Sequence, residues 1–340
     1  MVIRSGFIAC FLLVLLSACQ KDSAWFGPVY PPDSNSVELT TDSRILIGCE
    51  GNFQLSNASV SVYYPDSNSV VNNAFFGAND KRMGDVVQSI TQHGDSIYVV
   101  VNNSGVIRVL DAETLVERSV IDGLYSPRYM HKVNNQVALV SNYGVSYVQK
   151  VDLTAMSVMG EIPCKGWTEQ MIGLNGQVYI AELDSHSLMV LDSHSLALNT
   201  RIELAHKPQY LFAKQGELLA VGADEDGKWY VSEISGVDVQ SLTPISVSPL
   251  GVDMVGEEFV VVTQSHIAVL ESSTYTEVQS QVHQAELPYS IYADELAGDY
   301  YVCDAHDYVS NGTVYRYSVD LQKVDEFTVG FIPQAVLRAY

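Results

Sequence analysis

The sequence predicts an all-β protein, a seven-bladed β-propeller with four-stranded antiparallel blades. Three observations predict it. First, a short apolar strand recurs seven times, beginning at Ile45 (ILIGCEGN), Ile97 (IYVVVNNS), Val137 (VALVSNYG), Val178 (VYIAELDS), Leu218 (LLAVGADE), Phe259 (FVVVTQSH) and Tyr300 (YYVCDAHD). Second, the last six starts are spaced 40, 41, 40, 41 and 41 residues apart. A strand-only repeat of about 40–45 residues marks one blade per repeat. Third, the chain closes on Pro333-Gln334-Ala335-Val336-Leu337-Arg338, a strand-like segment, whereas the first repeat has no equivalent segment before Ile45. The C-terminal strand is therefore expected to complete the first blade, closing the ring and pairing an edge that would otherwise be exposed.

The elements follow in chain order. Arg4 precedes an apolar run from Gly6 to Leu16 that is too short to span a bilayer as a mature helix. The run ends in Leu16-Ser17-Ala18-Cys19, which resembles a bacterial lipobox. Residues 1–18 are read as a lipoprotein signal peptide and Cys19 as the lipidation site, which predicts stable membrane anchoring. Gln20-Lys21-Asp22 is similar to the short signal by which Bacteroidetes display lipoproteins on the cell exterior. Residues 19–43, with three Pro and scattered Ser, Asp and Asn, read as a lipidated tether. The propeller is expected to occupy residues 44–340, against a length prior that would allow two domains.

Within each repeat a second apolar alternation follows about nine residues on, as in Val60-Ser61-Val62-Tyr63, Val106-Ile107-Arg108-Val109 and Val145-Ser146-Tyr147-Val148. A turn such as Asp111-Ala112-Glu113-Thr114 leads to an outer strand, Val116 to Ile121. An innermost strand precedes each repeat after the first and is often led by proline, at Pro127, Pro208, Pro249 and Pro288. The first interval is 52 residues, and its extra length is expected to add loop to the same face as the site discussed below.

Composition excludes some functions. The net charge is -22, which argues against nucleic acid, a partner that needs clustered Lys and Arg. Cys10 leaves with the signal and Cys19 is lipidated, so Cys49, Cys164 and Cys303 remain and are read as free, mostly buried thiols. No Cys-x-x-Cys, Gly-x-Ser-x-Gly, His-Glu-x-x-His or phosphate-cradling Gly loop occurs, so neither a metal nor a catalytic residue is predicted. Asp304, His306 and Asp307 form a tempting acid–base cluster, but His306 is read as a satisfied loop histidine. The Glu50, Asn142 and Asp184 loops offer, as an alternative, the carboxylates and amide of a calcium site of the lactonase-propeller kind.

A meander places the loops from outer to next inner strand, and from second to third strand, on one face. Those loops are rich in aromatic and amide side chains, which suit a large neutral ligand bearing amides or hydroxyls. The candidate ligand-binding residues are Asn52, Phe53, Arg82, Asn102, Asn103, Arg128, Tyr129, Asn142, Tyr143, Trp167, Gln170, Gln209, Tyr210, Tyr289 and Tyr308.

Several of these segments resemble a known family. Glu50-Gly51-Asn52-Phe53, Gly84-Asp85-Val86-Val87-Gln88-Ser89, Gly123-Leu124-Tyr125-Ser126-Pro127-Arg128-Tyr129, Gly166-Trp167-Thr168-Glu169-Gln170-Met171 and Asp304-Ala305-His306-Asp307-Tyr308 are similar to Bacteroidetes surface lipoproteins with YncE-like seven-bladed propellers. The resemblance runs from about Ile45 to the C-terminus and is weakest from Gln215 to Glu286. Among such proteins the BtuG type captures cobalamin and caps the TonB-dependent transporter BtuB at the outer membrane. The resemblance thus implies a corrinoid as transported ligand rather than cofactor, a BtuB-like partner and no enzyme activity. Arg82 or Arg128 would meet the corrinoid phosphate. The competing readings are a propeller enzyme of lactonase or dehydrogenase type, and a propeller that binds only proteins.

Overall fold

The computed structural model describes residues 43–340; the predicted signal peptide, Cys19 and nearly all of the tether lie outside them. The strands assemble into seven four-stranded antiparallel sheets. Blade 1 holds β1 (Arg44–Cys49), β2 (Ser59–Tyr64) and β3 (Ser69–Val71), followed by helix α1 (Ala74–Asn79). Blade 2 is β4 (Val87–His93), β5 (Ser96–Val101), β6 (Val106–Asp111) and β7 (Glu117–Ile121). Blade 3 is β8 (Pro127–Lys132), β9 (Val137–Asn142), β10 (Tyr147–Asp152) and β11 (Ser157–Pro163). Blade 4 is β12 (Thr168–Leu174), β13 (Gln177–Glu182), β14 (Ser187–Asp192) and β15 (Leu198–Glu203). Blade 5 is β16 (Tyr210–Lys214), β17 (Glu217–Ala223), β18 (Trp229–Ser235) and β19 (Asp238–Pro244). Blade 6 is β20 (Gly251–Val255), β21 (Glu258–Val262), β22 (His266–Leu270) and β23 (Glu277–Val282). Blade 7 is β24 (Pro288–Asp294), β25 (Asp299–Asp304), β26 (Asn311–Tyr317) and β27 (Lys323–Phe331).

The last strand, β28 (Pro333–Ala339), pairs with β1 and becomes the inner strand of blade 1, as the sequence predicts. A clasp reinforces this closure. Arg338 on β28 donates from Nε to both carboxylate oxygens of Asp294 on β24, at 2.7 and 2.8 Å, and both residues are buried. Blades 1 and 7 are thereby joined by an ion pair as well as by packing.

The burial pattern explains why the recurrent apolar strands run unbroken. Each is the second strand of its blade, sandwiched between neighbouring blades, so both of its faces lie in an apolar core. Leu46, Val60 and Val62 of blade 1 meet Ile97, Val99 and Val101 of blade 2 in one such core. Burying each such side chain contributes about 1.5–3 kcal/mol. Outer strands alternate or face water, as β11 does with every second residue exposed.

Two expectations need correction. The third strand of blade 3 begins at Tyr147 rather than Val145, because the turn with Gly144 at φ 74° runs two residues further. The extra length of the first interval does not build the loop-rich face. It forms α1, whose Phe75 is buried and whose Asn79 holds the turn of blade 2, accepting from Glu117 N at 2.7 Å and donating to Leu115 O at 2.9 Å. Lys81 pairs with Glu117 on the outermost strand, and Met83 O accepts from Arg108 Nε on β6. Arg82 sits exposed between those two anchors, beside the outer strands β6 and β7.

Candidate ligand-binding site

Five of the seven inner strands carry a β-bulge at the same place, where the strand enters from the loop-rich face. In β4 the extra residue is Gln88, in β24 Tyr289 and in β28 Gln334. In β8, Arg128 and Tyr129 oppose one partner residue, and in β12 Glu169 and Gln170 do so. A bulge frees one residue from the ladder and re-aims its side chain. Repeated around the axis, it brings Gln88, Arg128, Tyr289 and Gln334 to one cavity at the channel mouth. The inner strands of blades 5 and 6, β16 and β20, pair without a shift. The mouth is therefore lopsided toward blades 7, 1, 2, 3 and 4, away from blades 5 and 6.

A cavity of about 300 Å³ opens there, lined by Glu50, Gly51, Phe53, Val86, Gln88, Asn102, Arg128, Tyr289, Ile332 and Gln334. Two of its walls are strained. Val86 and Ile332 are β-branched yet adopt φ of 65° and 54°, a conformation that such residues normally avoid. Glu50 holds both: its N–H donates to Ile332 O at 2.9 Å and its carbonyl accepts from Val86 N at 3.1 Å. Strain that the surroundings over-determine is characteristic of binding sites.

The electrostatics are those of a nearly neutralised pocket. Arg128 Nε donates to Glu169 Oε1 at 2.7 Å, Nη1 donates to Gln88 Oε1, and the guanidinium lies 5.9 Å from the Trp167 ring centroid. Trp167 Nε1 also donates to Glu169 Oε1, at 2.6 Å. Burial raises the Glu169 carboxyl above the usual carboxylate range, against the opposing pull of Arg128. Burial also pushes Glu50 up to about 7, opposed by the Tyr289 hydroxyl, which donates to Glu50 Oε1 at 3.1 Å, and by Arg128. Deeper in the channel, burial lifts Asp253 to about 6 and Tyr210 to about 12.

Four of the sequence-predicted residues line the cavity together: Phe53, Asn102, Arg128 and Tyr289. Others form its rim. Tyr308 packs edge-on against Tyr289 at 5.9 Å, Asn52 donates to Tyr308 O at 2.6 Å, and Tyr143 meets Trp167 edge-on at 4.9 Å. Phe53, Tyr143 and Tyr308 are 65%, 51% and 44% exposed, so apolar surface stands in water around the mouth.

The remaining candidates lie elsewhere. Tyr129 sits inside the channel, its phenol raised by burial and by Glu169, and Tyr210 packs near Phe212 and Trp229. Gln170 Oε1 accepts from Leu211 N, bridging two inner strands. The Gln209 N–H donates to Val221 O in blade 5, away from the cavity. Asn103 donates to Asp85 outside the cavity lining. Asn142 is not a loop residue at all: it ends β9, fully buried, and donates to Val140 O and Tyr147 O. Asn142 therefore cannot meet a ligand at the surface, and Glu50, Asn142 and Asp184 do not converge, since Asp184 accepts from Trp167 N. His306 lies 3.4 Å from Asp304 and 3.0 Å from Thr313 Oγ1, while Asp307 accepts from Val309 and Ser310 in its own loop.

Glu50, Gln88, Glu169 and Gln334 were missed as site residues. Their signal in the sequence is position: each of Gln88, Arg128, Glu169, Tyr289 and Gln334 directly follows the first residue of its inner strand, a Pro in three cases.

Comparison with known proteins agrees with this architecture. A family model described as a domain of unknown function, DUF5074, matches residues 45–250. The chain belongs to that family. The match spans blades 1 to 5, including three of the five bulges. No curated protein matches the chain. Among solved structures, it is similar to a quinonprotein alcohol dehydrogenase-like protein from Bacteroides thetaiotaomicron, with 14% identity, 86% of this chain and 77% of that chain covered, and a TM-score of 0.69. A protein from Lactobacillus plantarum matches at 11% identity over 88% of this chain and 99% of that chain, TM-score 0.64. Apo AztD from Citrobacter koseri matches at 11% identity with the same coverage and a TM-score of 0.60. Identities this low speak to the propeller fold alone.

Proposed function

We propose that this protein is a non-enzymatic capture propeller: it binds cobalamin or a related corrinoid at the channel mouth and passes it to a BtuB-like TonB-dependent transporter. The observation that carries the reading is the asymmetric ring of bulged polar side chains, fringed by exposed Phe53, Tyr143 and Tyr308. A corrinoid is a broad disc with apolar faces and an amide fringe. Aromatic planes cover such faces, and buried amides meet the fringe. The cavity is at the small end of the roughly 300–1,000 Å³ that enclose a drug-sized ligand. A corrinoid would thus lie across the mouth and insert only part of itself. Release would follow if the transporter covers the same face. Anchoring through Cys19 at the cell exterior would place the propeller beside its transporter.

The test is visual. Protein lacking residues 1–19 is mixed with cobalamin at micromolar concentrations and desalted. A pink protein fraction supports capture; a colourless one sinks it. The enzyme reading has one observation in its favour, the Glu50 carboxyl lifted to about 7 in a cleft. It requires turnover of a lactone or alcohol, and a metal or quinone in the purified protein; detecting either would replace the capture reading.

A further inference from the structure

Two residues that line the cavity each carry a buried side-chain atom with no protein partner: the nitrogen of Gln88 and the oxygen of Gln334. Gln88 is only 3% exposed, so its amide is held rather than adrift. Its orientation is fixed chemically. Arg128 can only donate, and it donates to Gln88 Oε1, which leaves the Gln88 NH2 group turned the other way. Buried polar groups are nearly always paired. An unpaired donor and an unpaired acceptor on two residues of one cavity wall suit a ligand group that accepts at one atom and donates at another.

We propose that this cavity is a carboxamide-recognition subsite, in which Gln88 donates to the carbonyl oxygen of a primary amide and Gln334 accepts from its NH2. The inference rests on the reading of the channel mouth as a ligand site and adds the chemical group it selects. Charge decides for an amide over a carboxylate. The guanidinium of Arg128 is already engaged by Glu169 and Gln88, so it offers an incoming anion little uncompensated charge. Glu50 stands in the same wall, where the Tyr289 hydroxyl donates to its carboxylate. A carboxylate would meet that charge, whereas a neutral amide would not.

The test uses 15N-labelled residues 20–340, a chain that contains the whole closed ring, with propionamide and propionate as probes. Propionamide is expected to shift the side-chain NH2 signal of Gln88, and propionate at equal concentration to leave it in place. Gln88→Glu keeps the acceptor for Arg128 but removes the donor, and should weaken the propionamide response about tenfold, read in both variants from the backbone amides of Gly51 and Val86 in the same wall. Gln334→Leu, which removes the acceptor without touching Arg128, should do the same if Gln88→Glu disturbs the fold. Equal responses to the two probes, or a propionamide response unchanged in both variants, would overturn the proposal. The corrinoid reading fails separately: a colourless desalting experiment with an intact propionamide response removes the corrinoid and keeps the amide subsite. Cobalamin capture with no amide response does the reverse.

Discussion

Replacing Arg128 by Met removes the only guanidinium in the cavity wall while keeping most of the apolar stem. The variant loses the 2.7 Å bond to Glu169, the bond to Gln88 and the contact with the Trp167 ring. Glu169 is 5% exposed and would be left as a buried charge. Breaking one partner out of a buried pair costs about 3–5 kcal/mol. Trp167 Nε1 still donates to Glu169 at 2.6 Å, so the lower end, about 3 kcal/mol, is expected at pH 8. The cost should also depend on pH. Burial already raises the Glu169 carboxyl and Arg128 is the first force opposing it, so the variant's carboxyl rises further. A folded-state pKa above the unfolded value favours the folded state where the group is protonated, and that advantage is lost as pH rises. The deficit should therefore shrink between pH 8 and pH 5.5. Urea unfolding at the two pH values measures it. A deficit below about 1 kcal/mol, or one equal at both pH values, would refute a buried, mutually dependent Arg128–Glu169 pair.

Other consequences are as concrete. Glu50→Gln keeps an acceptor for Tyr289 but cannot ionise; since burial lifts Glu50 from 4.5 to about 7, the wild type should lose stability from pH 5 to 7 and the variant should not. The difference, about 2–3 kcal/mol at pH 8 in favour of Gln, is read from paired urea titrations, and parallel pH profiles would count against it. Arg338→Met leaves Asp294 buried without its cation at the ring closure, so thermal unfolding should show a loss of about 3–5 kcal/mol; an unchanged melting temperature would mean that strand pairing alone closes the ring. Gly222→Ala places a methyl group into the Lys207 carbonyl oxygen, so blade 5 must shift, and a soluble variant of wild-type stability would show that this loop has room. Phe53→Ala, at a side chain 65% exposed, should leave stability within about 0.5 kcal/mol and weaken corrinoid binding.

The fold was legible because propeller physics writes itself in a period. The second strand of every blade is buried on both faces, so it reads as an unbroken apolar run, and seven runs at regular spacing leave little choice. The closing strand was legible because Pro333–Ala339 repeats the inner-strand pattern. The site was legible only in part. Phe53, Asn102, Arg128 and Tyr289 stood out by residue type and by loop position. Gln88, Glu169 and Gln334 did not, because alternation along a strand assigns sides by counting, and a bulge breaks the count by one. Asn142 failed for the opposite reason: its Asn-Tyr-Gly context looks like a turn, yet the strand continues through it and its amide serves the blade interior. Arg82 failed because the first interval spends its extra residues on a helix and on the rim between two blades. Loop composition cannot say whether a segment runs over a face or down a wall.

The central claim is that the bulged ring and its aromatic fringe form a corrinoid-binding face. Calorimetric titration of cobalamin into the wild type, a Trp167→Ala/Tyr143→Ala variant and an Arg128→Met variant tests it most directly. Saturable binding of one ligand per chain in the wild type, weakened at least about tenfold in both variants, is the predicted result. No heat of binding in the wild type, or full affinity in both variants, would contradict it.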